Sequence, residues 1–123
     1  MLGDYDVLAT IAVKNLATAR KFYEGKLGLK EVHAEGDQAV TFQSGNSQLL
    51  VYQSQFAGTN KATAVTWMVK RLESLVKDLR AKGISFEHYD MPGVTLKGDI
   101  HVAGKLKNAW FKDPDGNVLA LVE

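Results

Sequence analysis

The chain of 123 residues has no cysteine, which excludes disulfide scaffolds, thiolate zinc sites, iron–sulfur clusters and cysteine nucleophiles. It has no run of about 18 apolar residues and no apolar stretch of signal-peptide length behind its acidic opening, MLGDYDVLAT. The reading is therefore cytoplasmic, with no membrane partner. Neither sign of charge prevails: 15 basic and 14 acidic side chains give a net charge of +1. That balance is too even to gather nucleic acid by long-range field, so no nucleic-acid partner is expected. Nucleophile elbows, Walker loops and dinucleotide fingerprints are missing, and Gly25-Lys26-Leu27-Gly28 lacks the further glycine and the preceding strand.

What the chain has is an ordered composition, 46% hydrophobic and 24% charged, of a length that usually makes one domain. Val7 to Val13 reads as a strand. Asn15 then stands where a helix N-cap belongs, predicting a helix from Leu16 to about Glu24 that ends near Gly25. Strands are predicted near Lys30–Ala34, Ala39–Gln43 and Gln48–Gln53. The same order then recurs. Ala64 to Val69 reads as a strand, and Leu72, Leu75, Val76 and Leu79 at i, i+3, i+4 and i+7 predict an amphipathic helix closed by Gly83. Strands are predicted again at Ser85–Tyr89, Asn108–Phe111 and Val118–Val122, the last two joined by the turn Asp113-Pro114-Asp115-Gly116-Asn117.

The two halves superpose as sequences. Val13-Lys14-Asn15-Leu16 matches Val69-Lys70-Arg71-Leu72 at an offset of 56, and Phe42–Val51 matches Phe111–Ala120 at an offset of 69. The surplus lies between Asp90 and Lys107. The predicted fold class is α+β: one domain, 1–123, of two βαβββ modules at about 5–54 and 62–123. They would form a curved, mixed, mostly antiparallel sheet around a cup, with the helices on the outer face. Strand alternation then assigns the faces. If Ile11, Val13, Trp67 and Val69 face the helices, Leu8, Thr10, Ala12, Ala64, Thr66 and Met68 face the cup, and Leu49, Val51, Trp110, Val118 and Ala120 are expected to join them.

Val13-Lys14-Asn15-Leu16-Ala17-Thr18-Ala19 with Phe22-Tyr23 and Leu27-Gly28-Leu29, followed by Phe111-Lys112-Asp113-Pro114-Asp115-Gly116-Asn117 and a last strand, resembles the vicinal oxygen chelate superfamily. This is the glyoxalase, bleomycin-resistance and extradiol-dioxygenase family. The resemblance spans essentially the whole chain. It implies the paired βαβββ fold, a homodimer, and in the family's enzymes a divalent metal held in the cup by up to four His, Gln or Glu ligands. Carried over residue by residue, the ligand positions fall on Leu8, Ala64, Ala120 and Val51. All four are hydrocarbon, which cannot replace the water stripped from a cation. No metal and no other cofactor is therefore expected.

The remaining candidates are few. His33, His88 and His101 show no ligand spacing such as HxH or HExxH, and each reads first as a surface or loop histidine. Asp99 and His101 are kept as catalytic candidates, able to supply acid–base groups if the 90–107 segment covers the cup. Trp67 reads as core, and Trp110 as a cup residue able to stack on a planar ligand. Asp113–Asn117 reads as a hairpin turn rather than a calcium loop. The function read from these residues is metal-independent binding of a drug-like or aromatic small molecule, with Leu8, Thr10, Val51, Ala64, Thr66, Trp110 and Ala120 lining the site. Alternatives are a metal-independent lyase or isomerase using the 90–107 segment, a metal enzyme with ligands at other positions, and a dimerisation module whose cup is packed shut.

Overall fold

A computed structural model describes all 123 residues. The chain forms two compact units, Met1–Gly58 and Thr59–Glu123, each with its own sheet. It is α+β, with few helices and both sheets mixed in strand direction. None of its helices is long and apolar enough to cross a membrane.

In the first unit, β1 (Ala9–Val13) leads into α1 (Leu16–Arg20), and β2 (Lys30–Glu35), β3 (Ala39–Ser44) and β4 (Ser47–Gln53) complete a sheet in the order β1-β4-β3-β2. Asn15 caps α1 as predicted, its Oδ1 accepting from Thr18 N–H at 2.9 Å. The helical stretch ends close to Gly25, at Lys26, but not as a regular α-helix. A wider π-helical turn continues α1 through Lys21–Lys26, with Leu27 N–H reaching back five residues to Phe22 C=O at 3.0 Å. The reversal falls at Gly28, whose φ of +76° suits a residue without a Cβ. The wider turn belongs to a stretch in which Phe22 and Tyr23 are both buried, with the Tyr23 ring 6.1 Å from that of Phe42 on β3.

The second unit repeats this plan with additions. β5 (Thr63–Met68) precedes α2 (Leu72–Ala81), and then come β6 (Phe86–Glu87), β7 (Thr95–Lys97), β8 (Ile100–Ala103), β9 (Leu106–Lys112) and β10 (Val118–Val122). The main path through the sheet is β5-β10-β9-β8-β7. The surplus segment of the second repeat contains the hairpin β7–β8. Both β8 and β6 pair with β9, β8 along its first half and β6 along its second. The turn after β9 satisfies itself: Asp113 Oδ1 accepts from the backbone N–H groups of Asp115 and Asn117, and Asp113 Oδ2 from Asn117 Nδ2. Its carboxylate is occupied in shaping the turn, as the hairpin reading requires.

α2 has an unusual entrance. Its N-cap is Arg71, with φ +55° and no side-chain cap. Instead Glu123, just beyond β10, accepts from Arg71 N–H at 3.1 Å and Leu72 N–H at 3.0 Å. These bonds, Leu72 first and Arg71 second, hold the Glu123 carboxyl below its ordinary range. The carboxylate also meets the positive end of the helix dipole.

Two outcomes follow from this entrance. The Glu123 contribution is complete above the ordinary glutamate value of about 4.3 and is lost as the pH falls from there through the lowered folded value. In Glu123→Ala that part of the acid sensitivity should vanish, and amide exchange at Leu72 should quicken at neutral pH; unchanged exchange would contradict the capping role. Arg71→Gly should not destabilise the protein, because glycine takes positive φ without steric cost. Arg71→Val should cost about 1–2 kcal/mol in chemical denaturation.

Candidate functional site

Strand register decides which side chains share a face. In the second unit, Ala120 of β10 lies opposite Thr66 on β5 and Trp110 on β9, so these three residues form one row across the sheet. Asn108 and Val122 form the next row with Met68. His101 on β8 lies opposite Asn108 and so shares that face. The opposite face carries Leu119, Leu121, Ala109 and Phe111, all buried. Ala64 is the extra residue of a bulge, because Thr63 pairs with Val118 while Val65 pairs with the next residue, Leu119. The bulge brings Thr63 onto the Trp110 face. There its Oγ1 accepts from Trp110 Nε1 at 3.2 Å.

Trp110 is the centre of an aromatic cluster. The His101 ring stands 4.8 Å away at 80° and the Tyr89 ring 5.4 Å away at 74°, both edge-on. His101 is 2% exposed, and its Nε2 accepts from Tyr89 N–H at 2.8 Å. An acceptor nitrogen carries no proton, so the ring is neutral and its hydrogen is on Nδ1. That Nδ1 is buried with no hydrogen-bond partner, and so is Oδ1 of Asn108. A buried polar group left in this condition costs about 1–3 kcal/mol.

Asp99 and His101, considered together in sequence, have separate partners. Asp99 Oδ1 is 2.7 Å from Nε2 of His88, and its Oδ2 is 3.1 Å from Arg80. The Asp99 side chain is 15% exposed. His88, read from sequence as a surface residue, is half exposed but is held by this carboxylate. No spacing pattern signals that pair, which depends on β6 and β8 sharing one edge of β9.

In the first unit the register corrects one expectation. Val51 pairs with Ile11 in the parallel β1–β4 ladder, and Leu49 with Ala9. Val51 and Leu49 are therefore on the face of Ile11 and Val13, and both are buried there; they do not share the face of Thr10. The cause is one residue in a turn. Gln43 pairs with Gln48 in the first unit, whereas Lys112 pairs with Val118 in the second, so the final strands correspond at an offset of 70 rather than 69. Thr10 pairs with Leu50 as Thr66 pairs with Ala120, which makes Leu50 the counterpart of Ala120. Leu8 precedes β1, is 45% exposed, and its carbonyl accepts from Thr10 Oγ1 at 3.1 Å. It lines a groove of about 620 Å³ with Asp6, Val7, Gln43, Asn46, Ser47 and Gln48.

The correction leaves the donor chemistry unchanged. The resemblance assigns metal ligands to Leu8, Val51, Ala64 and Ala120, and the register makes Leu50 rather than Val51 the counterpart of Ala120. None offers oxygen or nitrogen, so these residues do not fit a divalent cation. Nor does the structure contain a cluster of three or more His, Asp or Glu side chains suited to a metal.

Solved structures of the same fold are numerous. A glyoxalase family protein from Enterococcus faecalis is 23% identical, with all of both chains covered and a TM-score of 0.72. A lactoylglutathione lyase from Agrobacterium tumefaciens is 19% identical, with 97% of this chain and 92% of that one covered and a TM-score of 0.71. A fosfomycin resistance protein from Mesorhizobium loti is 14% identical, over 99% and 92% of the two chains, with a TM-score of 0.68. No curated protein matches the chain. The sequence matches the family described as Glyoxalase/Bleomycin resistance protein/Dioxygenase superfamily over residues 7–121. With nearly its whole length inside that match, the chain belongs to the glyoxalase/bleomycin resistance protein/dioxygenase superfamily.

Proposed function

We propose that this protein binds a small aromatic or drug-like molecule without a metal, on the Trp110 face of its second unit. The observation that carries the reading is the fixing of Trp110. Its Nε1 is tied to Thr63 and its ring is held edge-on by Tyr89 and His101, while its cross-strand neighbour is the small Ala120. A rigid indole beside a small side chain offers a planar ligand a stacking surface at little entropic cost. Thr63 and Thr66 supply polar atoms at its border, and Ala64 keeps the bulge slender. In the first unit, Thr10 and Leu8 remain candidate ligand contacts of that unit alone. Val51 does not, since its side chain is buried on the other face. A cytoplasmic location and a homodimer complete the reading, and a dimer mass by native mass spectrometry would support the latter.

Titrating bleomycin and quinoline while following tryptophan fluorescence tests it. Saturable quenching is expected in the natural protein and in Trp67→Phe, with binding weakened about tenfold in Trp110→Ala, a loss of the size that aromatic contacts contribute. No saturable response to either compound would count against binding at this face.

The His88–Asp99 contact of 2.7 Å favours a second reading, a metal-independent lyase or isomerase using acid–base groups of the 90–107 segment. His101 serves this poorly, because Tyr89 N–H occupies the lone pair a base would use. His88, just before that segment and held by Asp99 within it, is the better base. Under this reading, breakdown or formation of lactoylglutathione proceeds in the presence of a chelator and falls by about 10²-fold or more in His88→Asn. A rate indifferent to that replacement would retire it.

A further inference from the structure

We infer that His101 and Asn108 together form a subsite for one neutral polar group of the ligand, a hydroxyl or a carboxamide. This inference rests on the proposed binding at Trp110 and names the chemistry that accompanies the aromatic contact. Its basis is a buried donor and a buried acceptor that leave each other unsatisfied. Tyr89 N–H occupies His101 Nε2 at 2.8 Å, so Nδ1 bears the hydrogen and can only donate. Asn108 Oδ1 can only accept. Neither atom has a hydrogen-bond partner, although the two residues are directly paired between β8 and β9, where side chains on one face stand about 4.5–5.5 Å apart at Cβ.

One incoming group satisfies both atoms only if it accepts from Nδ1–H and donates to Oδ1. A hydroxyl does both through one oxygen, and a carboxamide does so through its carbonyl and its NH₂. A carboxylate has no hydrogen for Asn108, and an ammonium has no lone pair for His101. The chemistry therefore selects neutral alcohols and amides over charged analogues of the same shape. The ligand's apolar body has a place beside this subsite, because the Trp110 ring is 4.8 Å from His101 and Asn108 lies two residues before Trp110 on the same face of β9. Tyr89 borders the pair: its ring lies 6.0 Å from His101 and the residue is 37% exposed.

The test uses the whole chain and compounds that share one ring: benzyl alcohol, benzamide, benzoate, benzylamine and toluene, with quinoline as the control for aromatic binding. Benzyl alcohol and benzamide should bind at least fivefold more tightly than the other three. In Asn108→Leu this preference should disappear while quinoline binding persists. Because His101→Phe risks misfolding, the histidine is read in the natural protein. Imidazole NMR should show the hydrogen on Nδ1, and its resonance should move on adding benzyl alcohol but not toluene. If quinoline binds and the five benzyl compounds show no preference, the subsite is wrong and the Trp110 reading stands. If neither quinoline nor any benzyl compound binds, both are wrong. A preference that survives in Asn108→Leu, or an Nδ1 resonance indifferent to benzyl alcohol, would also overturn the subsite.

Discussion

Parallel pairing of the first and last strand of each unit is the constraint from which the rest of the structure follows. Once Ile11 is opposite Val51 and Leu121 opposite Trp67, alternation distributes every other side chain of those strands between two faces. In the first unit Ile11, Val13, Val40, Phe42, Leu49 and Val51 gather on one side and are buried. In the second, Ala109, Phe111, Leu119 and Leu121 do the same. The other side of the second sheet receives threonine, tryptophan, asparagine, histidine and alanine. Slipping either ladder by one residue would exchange these sets and bury polar groups where the aliphatic core now packs.

The repeat plan was readable from sequence because it depends on local signals. Asn15 announces the first helix, Gly83 ends the second, and the apolar positions of α2 recur at helical spacing. Trp110 shares the face of Thr66 and Ala120, as alternation leads one to expect, because the strand preceding the Asp113 turn keeps a period of two. Val51 falls on the face opposite to Thr10 because two turns differ in length by a single residue, and an ungapped match between the halves hides that difference. A strand has a period of two, so one residue of error reverses a side chain completely. The π-helical turn after Arg20 was also invisible, since its wider hydrogen bonds leave no distinctive residue spacing.

Polar placement was the least readable. Asp99 and His101 are two residues apart, yet the first engages His88 and Arg80 while the second takes Tyr89 N–H. Strand edges arrange these contacts. β6 and β8 meet the same side of β9, bringing residues from before the insertion and from the insertion's own second strand into one neighbourhood. The insertion therefore does more than lengthen a loop: it completes the aromatic surroundings of Trp110, to which His101 contributes a ring edge. Leu8, Leu50, Ala64 and Ala120 present only hydrocarbon and offer no donor atom to a cation.

The helix entrance at Arg71 has an implication for the order of events during synthesis. α2 is complete as a peptide well before Glu123 is made, yet the carboxylate that quiets its first amides is 51 residues downstream of Leu72. On the ribosome the helix must therefore wait with a frayed start, held by its packing alone, until β10 delivers the acid. Formation of the final strand and sealing of the helix become a single late event.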